Sequence, residues 1–266
     1  MSIKFEFAIG WGVVATIMLL LWVRQYFSKN ASTVDVAWAF GTGLLGVWFA
    51  LTADGEVARR MMVALMVGIW GTRLGLHLWR RIAFEVEDGR YVALRQQLGE
   101  RAQLVFFFFF QIQALWALLF ALPVWAAATN ETAGLHWHDV VGFSIWLIAI
   151  GGEMTADRQL QRFRSNSQNR GKVCQQGLWR YSRHPNYFFE WLHWWAYVLV
   201  GLGSVWWWMT WCGVVLMLIF LLKVTGIPHT ERNALRKRGD AYREYQESTS
   251  KFFPLPPRKS HKEVTA

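Results

Sequence analysis

The sequence predicts an all-α fold: a polytopic membrane protein forming a seven-transmembrane helix bundle, N-terminus outside and C-terminus cytoplasmic. Three observations carry this. Of 266 residues 54% are apolar and 17% aromatic, with 18 Trp, while 17% are charged, which is too apolar for a soluble domain of this length. Apolar runs long enough to cross about 30 Å of hydrocarbon recur along the chain. The basic residues cluster beside alternate ends of those runs, 24 Lys and Arg on one side against Lys4, Arg59 and Arg60 on the other, which orients the bundle. The formal charge of +10 therefore belongs to a membrane topology signal, and no nucleic-acid partner is expected.

One domain, residues 1–257, is expected to carry spans at about 7–23, 33–52, 61–79, 104–127, 139–158, 187–203 and 205–225, with 258–266 a disordered tail. No small-residue cleavage site follows the first run, so it reads as a retained span. Cys174 and Cys212 make neither a disulfide framework nor a metal pattern.

The second span opens TVDVAWAF. A carboxylate such as Asp35 inside a span usually faces a cavity or a partner. The plainer alternative is an acid in the first turn of a helix capped by Ser32 or Thr33. Gly41–Gly46 matches GxGxxG but follows no strand, so close helix packing explains it better than dinucleotide binding. In the third span Arg73, His77, Arg80 and Arg81 share one helical face. The last two suit snorkelling to headgroups, the first two lie deeper. The loop beyond holds Glu87, Asp88, Arg90, Tyr91 and Arg95, too polar for lipid and too aromatic for a spacer.

In the fourth span Phe106–Phe110 reads as lipid-facing, and at most one of Gln111 and Gln113 lines a cavity. His136-Trp137-His138-Asp139 reads as an interfacial anchor rather than a metal site. The fifth span continues past the bilayer, with Glu153, Asp157, Gln161 and Arg164 along one side. Arg162, Arg164, Arg170 and Lys172 would suit a polyanionic ligand or anionic lipid. Before the sixth span comes RYSRHPNY. Pro185 fits a first helical turn, so the free N–H groups beside Arg183 and His184 offer a seat for phosphate. Asn186, Glu190, His193 and Tyr197 then form one polar stripe. The seventh span is expected to end at Pro228. A short amphipathic helix, a break at Gly239 and a Tyr-rich segment follow.

The polar stripes of spans three, five and six are expected to pool arginines, carboxylates, an Asn and aromatic rings in one pocket. Such a lining suits a large anionic cofactor, and the apolar half of the bundle a lipophilic substrate.

GLWRYSRHPNYFFE, the upstream EMTADRQLQRFR, the downstream GDAYREY with FFP, and the loop residues Glu87, Asp88, Arg90 and Tyr91 together resemble the steroid 5-alpha-reductase family, in its bacterial branch with an EDxRY-type loop. The resemblance implies seven spans in a bacterial inner membrane and NADPH bound at the cytoplasmic face. It also implies a 3-oxo-4-ene steroid or similar lipid entering from the bilayer as substrate. Hydride would pass to the β carbon of the enone while a protonated acid polarises the ketone. By motif position, Asp157, Arg164, Tyr181, His184, Asn186, Glu190 and Arg81 would contact NADPH, and Asp35 would be the acid. The tyrosine that assists this acid in mammalian members falls at Leu78 here, leaving His77 or Tyr91 for the role. A monomer in contact with membrane lipid, with no metal, is the expected form. RYSRHPNY is also similar to isoprenylcysteine and phospholipid methyltransferases, which use S-adenosylmethionine. A non-enzymatic lipid-binding or channel protein is a third reading.

Overall fold

The computed structural model describes residues 3–82 and 87–258. Those residues form helices and turns, with no strand among them. Ten α-helices run in order: α1 Ile3–Ser28, α2 Thr33–Thr52, α3 Val57–Ile82, α4 Gly89–Leu98, α5 Ala102–Ala128, α6 Trp137–Ser165, α7 Pro185–Val200, α8 Trp207–Ile219, α9 Ile227–Arg238 and α10 Asp240–Ser248. Among the described residues six stretches are long and apolar enough to cross a membrane, within α1, α2, α3, α4–α5, α6 and α8–α9. The chain is thus all-helical with the make-up of an integral membrane protein. The span expected at 187–203 is the 16-residue α7, about 24 Å long, which stops before the left-handed Gly203. The tail expected at 258–266 lies, apart from Arg258, outside the described residues.

The chain divides into two compact units. The first comprises residues 1–139 and 200–213. At its centre α2 packs against α3 and α5, and α1 lies along α5. The α2–α3 contact is set by glycine: a Cβ on Gly71 would stand 2.7 Å from the Gly43 Cα, and one on Gly46 2.7 Å from a Val67 methyl. The GxGxxG run is therefore a packing seam, as small residues in apolar helices allow. The phenylalanine run corrects the lipid-facing reading, because Phe106 and Phe110 are fully buried while Phe108 is 58% exposed. A helix turning 100° per residue cannot point five consecutive side chains one way.

Arg59, which runs against the charge bias, is fully buried. It donates to both carboxylate oxygens of Asp139 at 2.8 Å and to the carbonyls of Asn130, Thr132 and Gly134. Asp139 also accepts from the His136 amide at 2.8 Å, so within HWHD the aspartate alone serves as a buried anchor for α3. Asn130 closes the same corner by donating to the Leu202 carbonyl at 2.6 Å.

The second unit comprises residues 140–199 and 214–266. Where α6 meets α7, a Cβ on Gly152 would overlap the Phe189 ring at 2.4 Å. After α8 the helix widens into a π-type turn at Phe220–Val224. Pro228 then lies in the first turn of α9, so it starts a helix instead of ending one. The C-terminal segment is laced to the RYSRH stretch: the Arg183 amide donates to Ser250, the Leu255 amide to the Tyr181 carbonyl, and Ser182 Oγ to Phe252. Phe188, Trp191, Phe252 and Phe253 pack edge to face beside it. The two distant motifs that carry the family resemblance are thus one folded feature.

Candidate functional site

In the first unit the α3–α4 loop is fastened to the start of α2. Glu87 accepts from the Ala31 amide at 2.8 Å, and the Asp88 amide donates to Ser32 Oγ at 2.8 Å. Ser32 therefore does not cap α2 through its side chain. Asp88 instead caps α4, accepting from the Arg90 amide and side chain, and it also pairs with Arg81. Burial alone would raise the Asp88 carboxyl. The hydrogen bonds and charge of Arg90, with Arg81 adding to them, hold it below the usual carboxylate range.

This arrangement delivers two groups to Asp35. Arg90 Nη2 donates to Asp35 Oδ2 at 2.7 Å, and the Tyr91 hydroxyl donates to Asp35 Oδ1 at 2.8 Å. Tyr91 is buried, its ring edge-on to Phe106 and Phe109. A carboxylate, a guanidinium and a phenol are thereby held together at the first turn of α2, an arrangement suited to handling a proton at a ligand's oxygen. The spacing carries Tyr91 to Asp35. His77 lies on an exposed side of α3, and Arg81 joins the Asp88 group of this unit.

In the second unit Asn186 donates to Asp157 Oδ1 at 3.3 Å, linking the start of α7 to α6. The Asn186 Oδ1 atom is buried with no protein partner, an acceptor turned to the interior. Glu190 is buried one turn further along α7, while Arg164 at the end of α6 and Tyr181 are exposed. Arg183 and His184 go elsewhere. Arg183 is 8% exposed and donates to Glu231 at 2.7 Å and to the carbonyls of Gln246 and Thr249. His184 lies 3.3 Å from Glu231 and stacks on Tyr187. Burial pushes its imidazole below the usual histidine value, against the pull of Glu231. These two side chains clamp the C-terminal segment.

A family model described as "Protein of unknown function (DUF1295)" matches residues 21–249. This chain belongs to the DUF1295 family. The match spans Asp35, the α3–α4 loop and the Asp157–Asn186 pair alike, so both clusters lie inside the DUF1295 region. A DUF1295 chain of this kind is similar to "Uncharacterized protein C594.04c" of Schizosaccharomyces pombe, with 27% identity over 267 residues, covering 88% of this chain and 76% of the relative. No solved structure matches the chain significantly.

The sequence reading missed Arg90 as the bridge between Asp88 and Asp35, and Glu231 as the partner of Arg183. The D-x-R spacing of Asp88 and Arg90 was a usable signal for the first. Nothing local marks the second, which joins positions 48 apart.

Proposed function

We propose that this protein is an NADPH-dependent membrane reductase that transfers hydride to the C=C bond of a lipophilic enone, a 3-oxo-4-ene steroid or similar lipid. In this reading it is a steroid 5-alpha-reductase-like enzyme crossing a bacterial inner membrane seven times, with the N-terminus outside and nucleotide taken from the cytoplasm. The observation that carries it is the 2.8 Å hydrogen bond from Tyr91 to Asp35, which supports Tyr91 for the assisting role that Leu78 cannot fill.

Reduction of an enone builds negative charge on the carbonyl oxygen, so the chain must offer a proton there. Both Asp35 oxygens accept hydrogen bonds, from Arg90 and Tyr91, so Tyr91 would turn its one hydroxyl proton from Asp35 to the carbonyl oxygen and take another from solvent once the product has left. This moves the donor role from the acid to the phenol, with Asp35 orienting it and Arg90 balancing charge. NADPH would supply the hydride. Among this chain's residues the buried, unpartnered Asn186 Oδ1 beside Asp157 fits a carboxamide or ribose hydroxyl, and exposed Arg164 fits a phosphate. Arg183 and His184, already engaged by Glu231, are left out of the nucleotide set.

The test is to incubate purified protein with NADPH and a panel of lipophilic enones and read product mass. The proposal expects a gain of two hydrogens with wild type. It also expects loss of product with Tyr91→Phe while nucleotide binding persists. Failure of NADPH to bind, or binding of an S-adenosyl group in its place, would overturn it.

A further inference from the structure

The polar cluster of the first unit is balanced in charge. Its ion pairs match Asp35, Glu87 and Asp88 with Arg81, Arg90 and Arg95, three acids to three arginines among the described residues. A ligand head bearing a net charge would disturb pairs that are already matched, a costly burial. A neutral oxygen would not carry that cost.

Arg95 shows where such an oxygen can go. It lies on α4 four residues after Tyr91, and side chains at that spacing share a helix face. Its guanidinium stands 4.8 Å over the Phe106 ring, whose edge also meets Tyr91. One nitrogen, Nη2, is used: it donates to Glu87 at 2.9 Å and to Gln25 at 3.3 Å. The other two, Nε and Nη1, are buried and have no protein acceptor. Leaving charged-group donors unsatisfied in a buried position is costly, so an acceptor is called for. Because Glu87 already neutralises the charge, that acceptor is a carbonyl or hydroxyl rather than a second anion.

We infer that the first unit takes an uncharged lipid with two oxygen functions, one held at Tyr91 and the second by the free donors of Arg95. The first half of this statement rests on the reductase reading. The Arg95 contact does not, since binding can be measured without cofactor or turnover.

The experiment measures quenching of tryptophan fluorescence in detergent-purified full-length protein, without NADPH. The probes are two steroidal enones differing in one distal carbonyl. Wild type should bind the dioxygenated compound about tenfold or more tightly, the size of one hydrogen bond to a charged group. The double variant Arg95→Met/Glu87→Gln, which leaves no unpaired carboxylate behind, should bind both compounds alike, at the wild-type affinity for the mono-oxygenated one. A carboxylated analogue should bind more weakly than either. Equal binding of the two enones by wild type, a preference that survives the double variant, or tight binding of the carboxylate would each overturn the inference. Reduction of the mono-oxygenated enone as efficiently as the dioxygenated one would sink this inference and leave the reductase reading standing.

Discussion

At the scale of single residues, the buried Arg59 and the half-buried Arg90 do opposite things. Arg59 uses its donors on Asp139 and three carbonyls, so its role is structural. Replacing it with Met would leave Asp139 charged and buried. Loss of one partner of such a pair costs about 3–5 kcal/mol. Arg59→Met is therefore expected to lower the thermal midpoint in detergent sharply, and the double variant Arg59→Met/Asp139→Leu to recover part of the loss. An unchanged melt in the single variant would contradict the assignment. Arg90, in contrast, faces Asp35 and Tyr91, and its loss should affect turnover. Asp35→Asn keeps a side chain of the same size but replaces one acceptor oxygen with a donor. It should retain NADPH affinity and lose product formation by about 100-fold or more, because Tyr91, the proton-transfer group, loses the carboxylate that positions it. Normal turnover would retire Asp35.

At the scale of elements, the joint between RYSRH and the C-terminal segment has a pH signature. His184 is held below its ordinary value by burial, so the unfolded chain binds a proton at a pH where the folded chain does not. Stability is then full above about pH 6.5 and falls as the pH drops through that value, until the folded imidazole also titrates. The melting temperature should decline between pH 7.5 and 5.5, and His184→Gln should flatten that decline. The seam between α2 and α3 makes a second demand. Gly71→Leu would drive a side chain into the Gly43 backbone and should prevent stable folding, read as loss of a monodisperse peak in detergent. How much of this was legible in the sequence follows from contact range. Helix positions come from local hydropathy, and α2 spans the expected 33–52. The stripe containing Asn186 and Glu190 also lies along one helix. The Arg59–Asp139 pair joins positions 80 apart, and Arg90–Asp35 joins positions 55 apart. No periodicity carries such pairings, so the sequence shows Arg59 as an exception to the charge bias and Arg90 as a member of the loop motif, without the partner of either.

For the molecule as a whole, the charge bias and the apolar helices lead to a topology that labelling can read. The proposed seven crossings put Lys4 outside and Ser248 in the cytoplasm. In a cysteine-free background, Lys4→Cys should react with a membrane-impermeant maleimide on intact cells. Ser248→Cys should react only after permeabilisation, and the reverse pattern would invert the bundle. The chemical claim needs a reaction to decide it. The most direct measurement gives purified protein NADPH deuterated at the nicotinamide carbon that donates hydride, together with a steroidal 3-oxo-4-ene, and locates the label in the product. One deuterium is expected on the β carbon with wild type and none with Tyr91→Phe despite bound nucleotide. Unreduced enone with wild-type protein that has bound NADPH, or equal labelling by the Tyr91 variant, would contradict it.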